Sequence, residues 1–226
     1  MISFGEINKF SEDIDVKKAG YSEIKSSKEP SPENAKNFWD KVFNNKADAE
    51  EDFENDFIEI FGRDESDFCF DINLENPELL KILDLFTEDK WQFFDKTERI
   101  TAMETLVSVI SELQGIKERP ALTVFDGESG VRGAYNYKTK SLSINSLLLD
   151  SPKDVIGTIS HEMRHAYQDM RAQMGETRMD YLYKLNFENY IEPLDLGGKY
   201  LFFTDYQDQL VEAEARAFSS IFKGAA

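Results

Sequence analysis

The chain has only two histidines, and they stand one helical turn apart in Ile159-Ser160-His161-Glu162-Met163-Arg164-His165. Ser151-Pro152 ahead of this stretch supplies an N-cap and a residue suited to the first helical position. Val155, Ile156, Ile159 and Met163 recur at helical spacing, so the run is predicted to be a helix with these four residues on its buried side. On such a helix both imidazoles share a face, and their Nε2 atoms can converge on one ion. Glu162 follows the first histidine and can reach a water on that ion as general base. An accidental spacing on an ordinary amphipathic helix has to place every histidine of the chain in this motif beside a glutamate. Zinc is therefore the expected cofactor, with His161 and His165 as ligands and Glu162 as the catalytic base.

The 226 residues are 41% hydrophobic, enough for one large domain or for a catalytic domain with an appendage. A net charge of −18 would repel phosphates, which argues against nucleic acid or an anionic membrane as partner. Solubility accounts for such a charge, and a basic protein partner is the sharper alternative. The single cysteine, Cys69, excludes an intramolecular disulfide and fits a reducing compartment. With no signal-peptide pattern and no apolar run of membrane-spanning length, the expected location is cytoplasmic, although signal-less export would leave the same sequence.

Residues 1–94 carry no chemical motif and are expected to form an acidic, mainly helical extension. A polar arm precedes a helix opening at Ser31-Pro32, an acidic helix spans 47–61 with Gly62 as its stop, a short strand covers 68–74, and Asn76-Pro77 opens another helix. The charge run over 48–56 reads as a solvated helix face, with a regulatory cover over the active cleft as the alternative. Cys69, between Phe68 and Phe70, is expected to be a buried structural cysteine rather than a thiolate on zinc. From Asp95 a capping box with Glu98 starts a helix ending at Gly115, followed by strands over 121–125, 133–137 and 141–145. After the histidine helix, which fades before Gly175, come a helix over 177–190, a loop over 192–199 and a closing helix over 205–222.

Zinc needs a third protein ligand, and without another histidine it must come from Asp, Glu or Cys. Gln168 and Arg171 occupy the places that would mark a metzincin, which excludes that class. The closing helix offers Glu212-Ala213-Glu214-Ala215-Arg216-Ala217-Phe218, where an alanine three residues after a glutamate lets two helices approach closely. A helix, a strand, hairpin strands with Gly133-Ala134-Tyr135, the His-Glu-x-x-His helix and Glu-x-x-Ala-x-x-Phe together resemble the gluzincin metallopeptidases, most of all the compact ImmA/IrrE-type minigluzincins. The resemblance covers about residues 97–222. It implies an α+β, zincin-like peptidase domain over 95–226, with a small mixed sheet, the histidine helix and a C-terminal ligand helix. It implies zinc on His161, His165 and Glu212; Glu214, which also has an alanine three residues on, competes as the ligand, and whichever of the two does not bind metal can support a ligand histidine by a hydrogen bond. It also implies that the strand ahead of the metal helix, around Ser143, Ile144 and Asn145, pairs with an extended peptide or protein substrate. Oxyanion donors are sought among Tyr181, Tyr183, Tyr190, Tyr200 and Tyr206; Asp205 and Glu176 are read as exposed acids.

The expected function is zinc-dependent hydrolysis of peptide bonds. Two alternatives accompany it: a non-catalytic regulatory or interaction protein on a zincin scaffold, and a zinc hydrolase of non-peptide amides.

Overall fold

Helix starts and stops follow the capping chemistry written into the chain. In the computed structural model, which describes residues 59–70, 72–127, 130–191 and 203–225, the Asn76 side chain accepts from the N–H groups of Glu78 and Leu79 and Pro77 opens α1 (Pro77–Leu83). After the short α2 (Glu88–Trp91), Asp95 and Glu98 form the expected capping box of α3 (Lys96–Gln114). Ser151 caps α4 (Pro152–Met174), the histidine helix, and Thr177 caps α5 (Arg178–Glu188). Gly115 and Gly175 end α3 and α4 at φ 67° and 63°, a left-handed conformation favoured where there is no Cβ. The chain closes with α6 (Phe203–Gln207) and α7 (Leu210–Ala225).

Three strands complete an α+β fold: β1 (Ala121–Phe125), β2 (Gly133–Asn136) and β3 (Ser141–Asn145), in the order β1-β3-β2. β1 runs parallel to β3 and β2 antiparallel to it, so the sheet is mixed. The strand order corrects the expectation for Ser143, Ile144 and Asn145. β3 is the central strand, its backbone engaged by a neighbour on each side, and it has no open edge for a substrate. The edge next to α4 is β2. Asn145 N–H donates to Arg132 O, so by antiparallel alternation Gly133 and Tyr135 turn their backbone groups away from β3.

The strand expected over 68–74 is also absent among the described residues. Phe70, Ile72 and Leu74 do face inward alternately, but onto the helical core instead of into the sheet. That alternation leaves Cys69 exposed, not buried, and outside any cluster of metal-binding groups among the described residues. The arm, the helix after Pro32, most of the helix over 47–61 and the loop over 192–199 lie outside the described residues. Gly62 at φ 66° agrees with a helix stop there.

One core joins the two parts of the chain. Leu79, Leu83, Phe86 and Trp91 pack in the same cluster as Met103, Leu106 and Ile110 of α3, Leu142 and Ile144 of β3, Ile156, Ile159 and Met163 of α4, and Phe218 and Phe222 of α7. The boundary expected near residue 95 therefore does not separate two cores. Trp91 Nε1–H and Arg99 Nη1–H both donate to Leu149 O, at 2.7 and 2.8 Å, and hold the turn from which α4 departs. α4 is the spine, packed against α3, the sheet, α5 and α7. Its expected stripe of Val155, Ile156, Ile159 and Met163 is fully buried. No helix among the described residues is long and apolar enough to cross a membrane.

The predicted single closing helix is instead broken between α6 and α7. Asp208 O accepts from Arg63 N–H at 2.8 Å and Leu210 N–H donates to Ile60 O at 2.9 Å, which diverts this backbone from helical pairing. Gln209, fully buried at the break, donates to Ile191 O and Tyr206 O and accepts from Ile191 N–H and Asn186 Nδ2. Glu212 thereby falls in the first turn of α7, where the helix dipole favours a carboxylate.

β2 approaches α4 closely because position 133 has no side chain. A Cβ there would lie 2.6 Å from Thr158 Cγ2 and 2.9 Å from the Ser143 carbonyl oxygen. Gly133→Ala is expected to lower stability by about 1–3 kcal/mol, the usual effect of overpacking, and thermal unfolding would register it as a lowered Tm.

Candidate metal centre

One turn of α4 and the first turn of α7 meet to form the site. His161 Nε2 and His165 Nε2 face each other at 3.1 Å, and the Glu212 carboxylate straddles them. Its Oε2 lies 3.4 Å from His161 Nε2 and its Oε1 3.3 Å from His165 Nε2. Among the described residues these three are the group of side chains able to hold a metal ion. The spacing fits the expected ion: nitrogen and oxygen ligands about 2.0–2.1 Å from a tetrahedral zinc stand roughly 3.3 Å from one another. The donor set fits as well, since two imidazoles and one carboxylate make up a three-residue zinc site with a position to spare. His161 is the partly exposed member, at 20% of its side-chain surface, and His165 and Glu212 are buried.

Glu212 and Glu214, which the sequence offers as rivals, have separate surroundings. Glu212 points at the histidines and also accepts from Tyr190 Oη–H at 2.6 Å. Glu214 Oε1 accepts from Arg164 at 2.7 Å and from Tyr183 Oη–H at 2.8 Å, and Glu214 Oε2 accepts from Gln168 Nε2 at 2.7 Å. Ala215, three residues after Glu212, is fully buried, in keeping with the close helix approach that the small residue allows.

Electrostatics ties the three groups together. Burial would push the Glu212 carboxyl upward, but the adjacent His165 and His161 hold it well below the usual carboxylate range. Burial likewise opposes a charge on His165, yet the Glu212 carboxylate prevails and raises that imidazole to about 9. An incoming metal ion has to displace this proton. Glu162 lies on the same turn, 8% exposed. Burial raises its carboxyl above the ordinary value against the lowering pull of His161 and His165, and a backbone hydrogen bond from Tyr135 on β2 reaches it.

Of the tyrosines, Tyr190 and Tyr206 reach the site. Both engage Glu212, and their rings stand edge to face at 6.1 Å. Tyr183 is committed to Glu214, Tyr181 is 38% exposed beside Arg178, and Tyr200 lies outside the described residues. Glu176 and Asp205 are exposed acids, as expected. Asn145, of the three residues expected to bind substrate, holds the loop before β2 through Nδ2 to Val131 O.

Gln168 is the partner that sequence reasoning passed over. Its Oε1 lies 2.8 Å from His165 Nδ1. Its place one turn after His165 on a helix was the available signal. Comparison with known proteins supplies no relative: no family model, curated protein or solved structure matches the chain.

Proposed function

We propose that the protein is a zinc-dependent metallopeptidase of gluzincin type on a zincin-like fold. The observation that carries this reading is the triangle of His161, His165 and Glu212, with ligand atoms 3.1–3.4 Å apart, beside a buried glutamate whose carboxyl is raised. A zinc ion on these ligands supplies Lewis acidity toward a carbonyl and toward water. Glu162 takes the proton of the attacking water and returns it to the leaving amine, a task suited to a carboxyl lifted toward neutrality. Tyr190 and Tyr206 both bond the Glu212 carboxylate and so hold it in place beside the histidines. The outward backbone groups of Gly133 and the Tyr135 carbonyl offer an extended peptide a strand edge beside Glu162, whose carboxyl holds the Tyr135 N–H. That edge favours a peptide over a small non-peptide amide, and a buried general base is superfluous in a purely structural zinc site.

The test is digestion of a peptide library by protein of measured zinc content. About one zinc per chain is expected, together with cleavage that a chelator abolishes and added zinc restores. Protein that neither contains nor takes up zinc would sink this reading. Zinc-loaded protein inert on peptides but active on small amides would transfer it to the non-peptide alternative.

A further inference from the structure

The arrangement around Gln168 extends beyond the ligands. Gln168 is fully buried on α4, three residues after His165. Its amide nitrogen faces two acceptors on α7, the Val211 carbonyl at 3.0 Å and Glu214 Oε2 at 2.7 Å. Both of these atoms accept only, so the nitrogen must be the end turned toward them. The carbonyl end is then left facing His165 Nδ1 at 2.8 Å, and that ring nitrogen must carry the proton. With Nδ1 holding its proton, the Nε2 that faces His161 and Glu212 is the nitrogen that gives up a proton when a metal ion enters. Glu214 is fixed in turn by Arg164, whose guanidinium lies over the rings of Tyr167, Phe70 and Phe218 at 4.1, 4.9 and 5.2 Å and bonds Gln114 Oε1.

We propose that Gln168 is a positioning residue that locks His165 in its Nδ1–H form through an amide relay anchored on Glu214 and Val211 of α7, and so aims Nε2 at the metal position. The relay makes the metal-ready state of His165 depend on the docking of the helix that carries the third ligand. One amide reads the seating of α7 through its nitrogen and sets the ring through its oxygen. The loss of an outer hydrogen-bond partner of this kind typically weakens metal binding about 10- to 100-fold. Only this affinity effect rests on the proposed metal site; the locked proton is a property of the chain alone.

A chain with two histidines gives two imidazole spin systems, which His161→Gln assigns. Nitrogen-15 NMR is to be recorded on the full chain, metal-free and with zinc added, for the wild type, Gln168→Met and Gln168→Glu. Methionine matches the length but offers no comparable acceptor, whereas glutamate keeps an acceptor opposite Nδ1 and sets a carboxylate oxygen against Glu214 and the Val211 carbonyl, so it removes the anchor on α7 alone. In the wild type the His165 Nδ1–H proton is expected to persist under exchange with and without zinc. In Gln168→Met that protection is lost and zinc affinity falls about 10- to 100-fold, and Gln168→Glu, with the acceptor but without the anchor, protects Nδ1–H less than the wild type does. Circular dichroism shows which variants are folded; if Gln168→Met does not fold, wild type against Gln168→Glu decides by the Nδ1–H signal. A wild-type His165 that exchanges Nδ1–H freely, or protects Nε2–H instead, overturns the relay, as does a folded Gln168→Met with unchanged signal and affinity. A wild type that shows the protected proton yet fails to bind zinc keeps the relay and removes the peptidase reading.

Discussion

Glu162→Gln is expected to lower peptide turnover by about 10²- to 10⁴-fold with zinc content unchanged. Glutamine preserves the shape of the side chain and can still accept the backbone hydrogen bond from Tyr135, but it cannot take up a proton at neutral pH. His161, His165 and Glu212 are untouched by the substitution. Zinc per chain and turnover on one cleavable peptide, measured on the same preparation, separate binding from proton transfer. Equal turnover in variant and wild type would remove Glu162 from the reaction. Bound zinc without turnover in either would favour the non-catalytic reading of the scaffold.

Glu212→Ala and Glu214→Ala, two residues apart on one helix, are expected to fail in opposite ways. The first removes a ligand atom from the triangle and should weaken zinc binding by more than the roughly 10- to 100-fold typical of an outer partner, in a chain that still folds. The second strips the counter-charge from Arg164, which is 8% exposed and enclosed by three aromatic rings. Leaving a buried charge unpaired in this way costs about 3–5 kcal/mol, so Glu214→Ala should show a large drop in unfolding free energy. Zinc titration and chemical denaturation of both variants test the pair of outcomes. Zinc binding weakened more in Glu214→Ala than in Glu212→Ala, without a loss of stability, would exchange the two assignments.

The parts of this fold that were legible in the sequence are those decided locally. Ser151, Asp95 and Thr177 sit at helix starts because their own side chains satisfy the first free N–H groups. The spacing of His161 and His165 needs only a helix to bring them to one face. Strand order was not legible: periodicity marks β3 as a strand but does not reveal that β1 closes its second edge. The exposure of Cys69 was not legible either: flanking aromatics suggest a buried run, whereas the alternation of Phe70, Ile72 and Leu74 leaves its side chain outside. The choice between Glu212 and Glu214 depends on where α7 starts, and that is set by hydrogen bonds to backbone far back in the chain. Tyr190 and Tyr206 follow from the same seating and carry no local mark.

The bracket formed by Ile60 and Arg63 on Leu210 and Asp208 therefore has a consequence for how the chain can be divided. The first stretch contributes no member of the candidate metal site among the described residues, yet it sets the register of the final helix and so the reach of Glu212 toward the histidines. Insertions, cuts or domain exchanges that treat residue 95 as a natural joint would leave the reactive half with all its chemical groups and without the gauge that spaces them. The smallest self-sufficient unit of this protein has to begin upstream of Ile60.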